Sequence, residues 1–211
     1  MKSLVHSFKD LLFSRKCPIC NKETNGTYYI CDNCYSSLRK KGTIKNIKNY
    51  YYLYFYDKDI KRVIADYKLN NRKNLALELK TLIDKKLKLL IEELDIDKII
   101  PVPVSKKRLL ERGFNQVEEI LDRCHIKYDK IYRIRDTEHM YKYQEYEKRK
   151  HNIAGVFDVS GLDLNGKNIM IVDDIVTTGS TTKEICKEIN KKYRPKEIYI
   201  FSIAMSKGFK G

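Results

Sequence analysis

Two adjacent carboxylates and a hydroxyl-rich turn make up the part of this sequence best suited to chemistry. The acids, Asp173 and Asp174, come at the end of the apolar run 169–172. The turn after them contains Thr177, Thr178, Gly179, Ser180 and Thr181. Gly179 allows a tight turn with inward-pointing N–H groups, and Ser180 and Thr181 are predicted to cap a following helix, whose N-terminus favours an anion. The pattern predicts a phosphate-binding turn beside two acids that accept hydrogen bonds from hydroxyl groups or hold a metal ion.

The acids require an apolar strand before them, and the turn requires a helix after it. The same alternation of strand and helix is predicted along the rest of the chain. Apolar and aromatic runs predict strands at 49–56, 98–104, 131–134, 155–159, 169–172 and 197–205. Helical patterns are found at 35–41, 59–67, 75–94, 115–123 and 182–192. Alternating strands and helices predict an α/β fold with a parallel sheet, in which ligands bind at the carboxyl ends of the strands.

A nucleotide-triphosphatase site is a competing interpretation of this region. The strand with its acids could be a Walker B strand, and residues 161–168 come close to a Walker A loop. Asn168, however, stands where that loop needs a Ser or Thr to hold magnesium, and the loop leads into a strand instead of opening a helix. The sequence therefore argues against a P-loop.

The segment 169–181 resembles the signature for 5-phosphoribosyl 1-pyrophosphate (PRPP) in type I phosphoribosyltransferases. The resemblance implies that Asp173 and Asp174 contact the ribose 2′- and 3′-hydroxyls and that the turn 177–181 wraps the 5′-phosphate. The alternative is an ordinary strand that ends in a solvated acidic turn. The apolar strand, the spacing and the predicted helix cap together favour the signature.

A second block, residues 101–116, resembles the hallmark of the ComF family of competence proteins. These proteins are phosphoribosyltransferase-like and often carry a cysteine-rich front module. Residues 149–157 fit the same family, as do Tyr67 and Lys68. The resemblance covers nearly the whole chain, and it implies a type I phosphoribosyltransferase fold with a small zinc-bearing module at the front.

In phosphoribosyltransferases the loop after the first core strand grips the pyrophosphate, so the resemblance implies that role for a basic loop at 105–113. The residues assigned to it are Val104, Ser105, Lys106, Arg108 and Arg112. Arginine can bind a diphosphate through two parallel hydrogen bonds, although a basic run is also typical of a loop that only faces water. Magnesium is expected to enter with PRPP, bound mainly by the diphosphate and the ribose hydroxyls.

The segment 135–149, which ends at Arg149, corresponds to a mobile loop that closes over the active site in relatives and excludes water. Whether transfer occurs is left open. Thr177 stands where purine-salvage relatives carry an Asp as candidate base. Glutamine-dependent transfer of ammonia is not expected, because that reaction needs an N-terminal Cys nucleophile and this chain starts Met1, Lys2.

The ComF resemblance implies a role in natural transformation, with incoming single-stranded DNA and the competence machinery as partners in the cytoplasm. The alternative function is a non-catalytic adaptor, in which the sheet binds single-stranded DNA or a nucleotide and transfers nothing. The net charge of +15 is consistent with a polyanionic partner. Biased codon usage in an AT-rich genome could also produce such an excess of lysine.

Four cysteines form two CxxC knuckles, Cys17 with Cys20 and Cys31 with Cys34. Two knuckles can supply four thiolates to a tetrahedral, structural zinc ion, while a disulfide pair is the less favoured alternative in a cytoplasmic chain. This module, with an amphipathic helix before it, is predicted to span 1–42, and the phosphoribosyltransferase-like domain to span 43–211. No apolar run has the length of a bilayer span, so no membrane insertion is expected.

Overall fold

A computed structural model of the chain describes residues 15–24, 28–69, 72–134 and 155–211. The amphipathic helix predicted within residues 1–14, and Arg149 with the predicted mobile loop, lie outside the described residues. The described strands are β1 (Arg15–Lys16), β2 (Glu23–Thr24), β3 (Lys45–Ile47), β4 (Tyr50–Phe55), β5 (Lys98–Pro101), β6 (Tyr132–Arg133), β7 (Phe157–Asp158), β8 (Asn168–Val176) and β9 (Glu197–Met205). The described helices are α1 (Asp32–Lys41), α2 (Lys58–Leu69), α3 (Leu75–Glu93), α4 (Lys106–Arg112), α5 (Gln116–Arg123) and α6 (Ser180–Lys192).

Five of these strands form the central sheet, in the order β3-β4-β9-β8-β5. β4, β9, β8 and β5 run parallel, and only β3 pairs antiparallel, with β4. Parallel strands need crossover connections, which here include helices, and all their carboxyl ends meet at one edge of the sheet. The predicted α/β fold with a parallel sheet is confirmed, and the acids of β8 lie at that edge.

The sheet separates two hydrophobic cores because alternate residues of each strand face opposite sides. In β8, Met170 and Val172 join the core beneath α2, α3 and α5, whereas Ile169 and Ile171 join the core beneath α6. A strand buried on both faces is a continuous apolar run, and this is why β8 could be found from sequence.

The front module is not set apart from the sheet domain. Cys17, Ile30 and Leu38 are buried in the same core as the apolar side chains of α2 and α3. The carboxylate of Glu78, on α3, accepts hydrogen bonds from the backbone N–H groups of Tyr29 (3.0 Å) and Ile30 (2.7 Å), just ahead of the second cysteine knuckle. The knuckle is thereby tied to α3.

Further contacts tie the module to α2 and to the start of α3. Arg62, on α2, donates to the carbonyl oxygen of Ile19 at 2.6 Å. The guanidinium of Arg72 lies 4.9 Å from the centre of the Tyr29 ring, a distance at which a cation is attracted to an aromatic face. Within the described ranges, no helix is both long enough and apolar enough to cross a membrane.

Candidate ribose and diphosphate site

The two acids lie inside β8 and not beyond it, since the strand continues from Asn168 to Val176. Asp173 is half-buried and accepts a hydrogen bond from the N–H of Asp174 on its Oδ1 at 2.8 Å. Asp174 is only 4% exposed. A carboxylate so deeply buried must be compensated by hydrogen bonds or by a cation.

Two donors from different helices compensate Asp174. Lys68, on the last turn of α2, places its Nζ 2.6 Å from Oδ2 of Asp174. Gln116, the first residue of α5, donates from Nε2 to the same oxygen at 2.8 Å. Both bonds are charge-assisted, the stronger class of protein hydrogen bond.

The pKa of Asp173 is raised to about 8, first by burial and then by the negative charge of Asp174, while Lys68 acts in the opposite direction. Two adjacent carboxyl groups cannot both ionise freely in a site with restricted access to water. The pair therefore favours a partner that brings hydroxyl donors or positive charge.

The turn after β8 is shaped by Gly179, which has a φ of +72°. A Cβ built on Gly179 would lie 2.8 Å from Cε2 of Phe209, so the position excludes a side chain by both conformation and space. Thr177 and Thr178 are exposed, and α6 begins at Ser180.

The predicted cap of α6 was wrong in detail. Gly179, and neither Ser180 nor Thr181, occupies the N-cap position, and its lack of a side chain leaves that position without a side-chain cap. The hydroxyl of Thr178 accepts instead from the N–H of Ser180 at 3.3 Å and contacts the Ser180 hydroxyl at 3.1 Å. The turn still gathers hydroxyl groups and a helix N-terminus beside the acids, the arrangement that suits a phosphate.

The basic segment after β5 is a helix and not the predicted loop. Ser105 is the N-cap of α4 and accepts from the N–H of Arg108 at 3.3 Å, while Gly113 ends the helix with a φ of +74°. Lys106 and Arg108 are exposed on its first turn. Val104 lies half-buried in the connection from β5. The charge predicted for a diphosphate is present, although on a helical turn.

Arg112, one of the basic residues assigned to the diphosphate, is linked to Asp174 through the side chain of Gln116. Its NH1 group donates to Oε1 of Gln116 at 3.2 Å, and Gln116 in turn donates to Asp174. The side chain of Gln116 thus connects the acids predicted from one sequence motif with a basic residue predicted from the other. Sequence reasoning gave Gln116 no role of its own, and gave none to Lys68.

The predicted metal cluster is assembled. The Sγ atoms of Cys17, Cys20, Cys31 and Cys34 lie within 4.8 Å of one another. The sulfurs of Cys20 and Cys31 are 3.6 Å apart, beyond a disulfide bond of about 2.05 Å and near the roughly 3.8 Å expected around a tetrahedral zinc ion. A hydrogen bond involving the backbone of Lys22 lowers the pKa of Cys20 to about 7, whereas burial and the neighbouring thiols raise the pKa of Cys34. The cluster could hold a structural metal ion.

Sequence comparison finds relatives that are named for DNA utilization or for competence. A protein of Escherichia coli named DNA utilization protein YhgH is 37% identical over 97 residues, which cover 43% of this chain and 42% of that protein. Competence protein ComFC of Bacillus subtilis is 28% identical over 113 residues, 51% of this chain and 44% of the relative. The chain is a relative of the YhgH and ComFC proteins. The resemblance to competence proteins that the sequence motifs indicated is confirmed, and each match spans less than half of the relative's length.

No protein-family model matches the chain. Among solved structures, an adenine phosphoribosyltransferase is 14% identical with a TM-score of 0.39, covering 81% of this chain and 89% of that one. A hypoxanthine phosphoribosyltransferase from Staphylococcus aureus is 12% identical with a TM-score of 0.32, covering 68% of each chain. Both of these structures are phosphoribosyltransferases, and their similarity to this chain is too low for the role of any residue to be transferred to it.

Proposed function

We propose that this chain binds PRPP together with magnesium at the carboxyl edge of its sheet. The observation that carries the proposal is the link from Arg112 through Gln116 to Asp174, on the strand that leads into the turn 177–181. The two acids accept hydrogen bonds from ribose hydroxyls, the turn and the start of α6 hold the 5′-phosphate, and the cations of α4 neutralise the diphosphate.

The residues present suit the two metals in different ways. Four clustered thiolates are a closed structural site for zinc, held by Cys17, Cys20, Cys31 and Cys34. Magnesium prefers oxygen ligands and keeps much of its water, so PRPP itself supplies most of its ligands. When bound, magnesium offsets the charge of the diphosphate beside two acids.

The role proposed for this binding is in DNA uptake or utilisation in natural transformation. The names of two relatives, a competence protein and a DNA utilization protein, support this role. If the chain transfers the phosphoribosyl group, pyrophosphate leaves C1 as positive charge builds on the ribose, and the cations of α4 stabilise the leaving group.

Calorimetric titration of PRPP into zinc-loaded protein tests the proposal. We expect binding in the presence of magnesium, much weaker binding without it, and loss of binding in the Asp173→Asn/Asp174→Asn double variant with the fold retained. Asp158→Asn, which changes a half-buried acid on β7, serves as the matched control and should bind as the wild type does. An unchanged affinity in the double variant would refute the assignment of the acids.

Binding of single-stranded DNA is the second candidate function, favoured by the net charge of +15 and the names of the relatives. A chain that neutralises phosphates should lose affinity steeply as salt rises. Fluorescence anisotropy with a labelled oligonucleotide at several salt concentrations measures that slope. Absence of binding at low salt would eliminate this candidate.

A further inference from the structure

Two residues hold the carboxylate of Asp174 through the same oxygen. Lys68 and Gln116 both contact Oδ2, from α2 and α5 respectively. Because a carboxylate oxygen accepts more than one hydrogen bond, Oδ2 can satisfy both donors at once. Oδ1 can then accept a hydrogen bond from a donor that a ligand brings.

The two donors are themselves held in place. Gln116 is 6% exposed, and its Oε1 accepts from Arg112, which fixes the end of the amide that faces Asp174. The hydroxyl of Tyr67, the neighbour of Lys68, donates to the carbonyl oxygen of Gln116 at 2.9 Å. The last turn of α2 and the first turn of α5 are therefore tied together behind Asp174.

A buried carboxylate without such partners would lower its energy by changing rotamer to reach other donors. Lys68 also supplies a positive charge to a site that must accept a polyanion next to two acids. These contacts thus prepare Asp174 for a sugar before any ligand arrives.

We propose that Lys68 and Gln116 are positioning residues, which hold the carboxylate of Asp174 in one orientation through Oδ2 so that Oδ1 accepts a hydrogen bond from a ribose hydroxyl of PRPP. The inference rests on the proposed PRPP binding. Neither residue needs to touch the ligand, because each acts through Asp174.

The test compares PRPP with inorganic pyrophosphate, both with magnesium, as calorimetric probes of the wild type and four variants. Lys68→Met and Gln116→Met remove one donor each at similar volume, and Lys68→Arg retains a cation. Lys73→Met is the matched control, because Lys73 pairs with Glu119 and contributes no contact to Asp174 among the ion pairs of the described residues. Thermal unfolding of each variant checks that it is folded.

We expect Lys68→Met and Gln116→Met to weaken PRPP binding on the order of tenfold or more relative to pyrophosphate binding. The quantity to compare is the ratio of the PRPP affinity to the pyrophosphate affinity. Loss of any lysine weakens the binding of both anions, whereas only PRPP carries ribose hydroxyls that donate hydrogen bonds to Asp174. Lys68→Arg should restore the wild-type ratio to within about threefold, and Lys73→Met should not change it. If Lys68 acted only through packing, arginine would not be expected to restore the ratio.

An unchanged ratio in both methionine variants, with PRPP binding retained, overturns this inference and leaves the proposed function standing. Failure of the wild type to bind PRPP overturns the proposed function and the inference with it. If Lys68→Met does not fold, Gln116→Met decides the matter by the same ratio.

Discussion

Asp173 departs further from the behaviour of a free carboxylic acid than any other acidic residue described. Its raised pKa, about 8, means that the folded protein keeps a proton that the unfolded chain releases near pH 4. The contribution of this group to stability is therefore fully present below about pH 4 and is lost as the pH rises through 8.

We expect Asp173→Asn to flatten the fall in stability of the ligand-free protein between pH 5 and pH 8. The asparagine has no proton to lose, so the linkage between unfolding and pH at this site disappears. Chemical denaturation at several pH values measures the effect. Asp158→Asn is the control, because Ser160 lowers the pKa of Asp158 and its titration falls below this window.

Candidate site residues could be named from the sequence where the relevant side chains follow one another closely along the chain. The acids and the hydroxyl-rich turn lie within one short segment, and the cysteines come in two CxxC pairs. Gln116, by contrast, precedes Asp174 by 58 positions, and Lys68 precedes it further still. No periodicity links residues so far apart, and their contact follows only from how α2 and α5 pack against β8.

At the scale of elements, the turn after β8 shows how a glycine fixes a site. Gly179 has the left-handed conformation and packs against the ring of Phe209, which in turn lies 4.6 Å from the ring of Tyr50, measured between centroids. The turn is thereby held against the first long strand of the sheet.

We expect Gly179→Ala to destabilise the protein by more than the roughly 1–2 kcal/mol that the left-handed conformation costs an alanine. The excess arises because the new methyl group meets Phe209. Gly161→Ala is the matched control, since Gly161 also has a positive φ but has nothing within 4 Å of an added Cβ. Denaturant unfolding of both variants compares the two costs, and equal losses would mean that Phe209 moves aside freely.

Most elements could be predicted because their apolar patterns are strong. β8 and β9 are long apolar runs, and the leucines of α3 recur at helical spacing. α4 was missed because its dense positive charge was taken for a loop, although Ser105 before it and Gly113 after it are helix boundary residues. Leu110 of that helix is 86% exposed, so no buried apolar face marked it.

At the scale of the whole molecule, Glu78 is a buried polar link between the module and the sheet domain. Burial raises its pKa, and the N–H groups of Ile30 and Tyr29 oppose that shift. We expect Glu78→Gln to cost about 1–3 kcal/mol of stability, because an amide can accept only one of the two bonds well and presents N–H to the other donor. Chemical denaturation measures the loss, and Glu92→Gln, an exposed position on α3, is the control.

Removing the structural metal should destabilise the sheet domain together with the module, since both share one core. Zinc present at a thousand times its dissociation constant would stabilise the folded state by about 4 kcal/mol, which a chelator removes. Differential scanning calorimetry with and without chelator should show one transition that moves to lower temperature. Cys20→Ser should behave like the chelated protein, whereas Cys186→Ser, outside the cluster, should still respond to chelator.

A separate early transition for the module, with the main transition unmoved, would contradict this expectation. The boundary after residue 42 was predicted from the two cysteine knuckles and the short helix that follows them, and it stays a prediction. In terms of packing, Cys17, Ile30 and Leu38 belong to the core that also holds Leu53 and Ile64 of the sheet domain.

The shared core also limits how the protein can be shortened, whether by proteolysis or by recombination in evolution. A fragment that begins at residue 43 would expose to water the part of the apolar surface of α2 and α3 that the module covers, and an exposed apolar patch promotes aggregation. A shortened chain that lacks the cysteine module would therefore need polar residues on that surface to stay in solution.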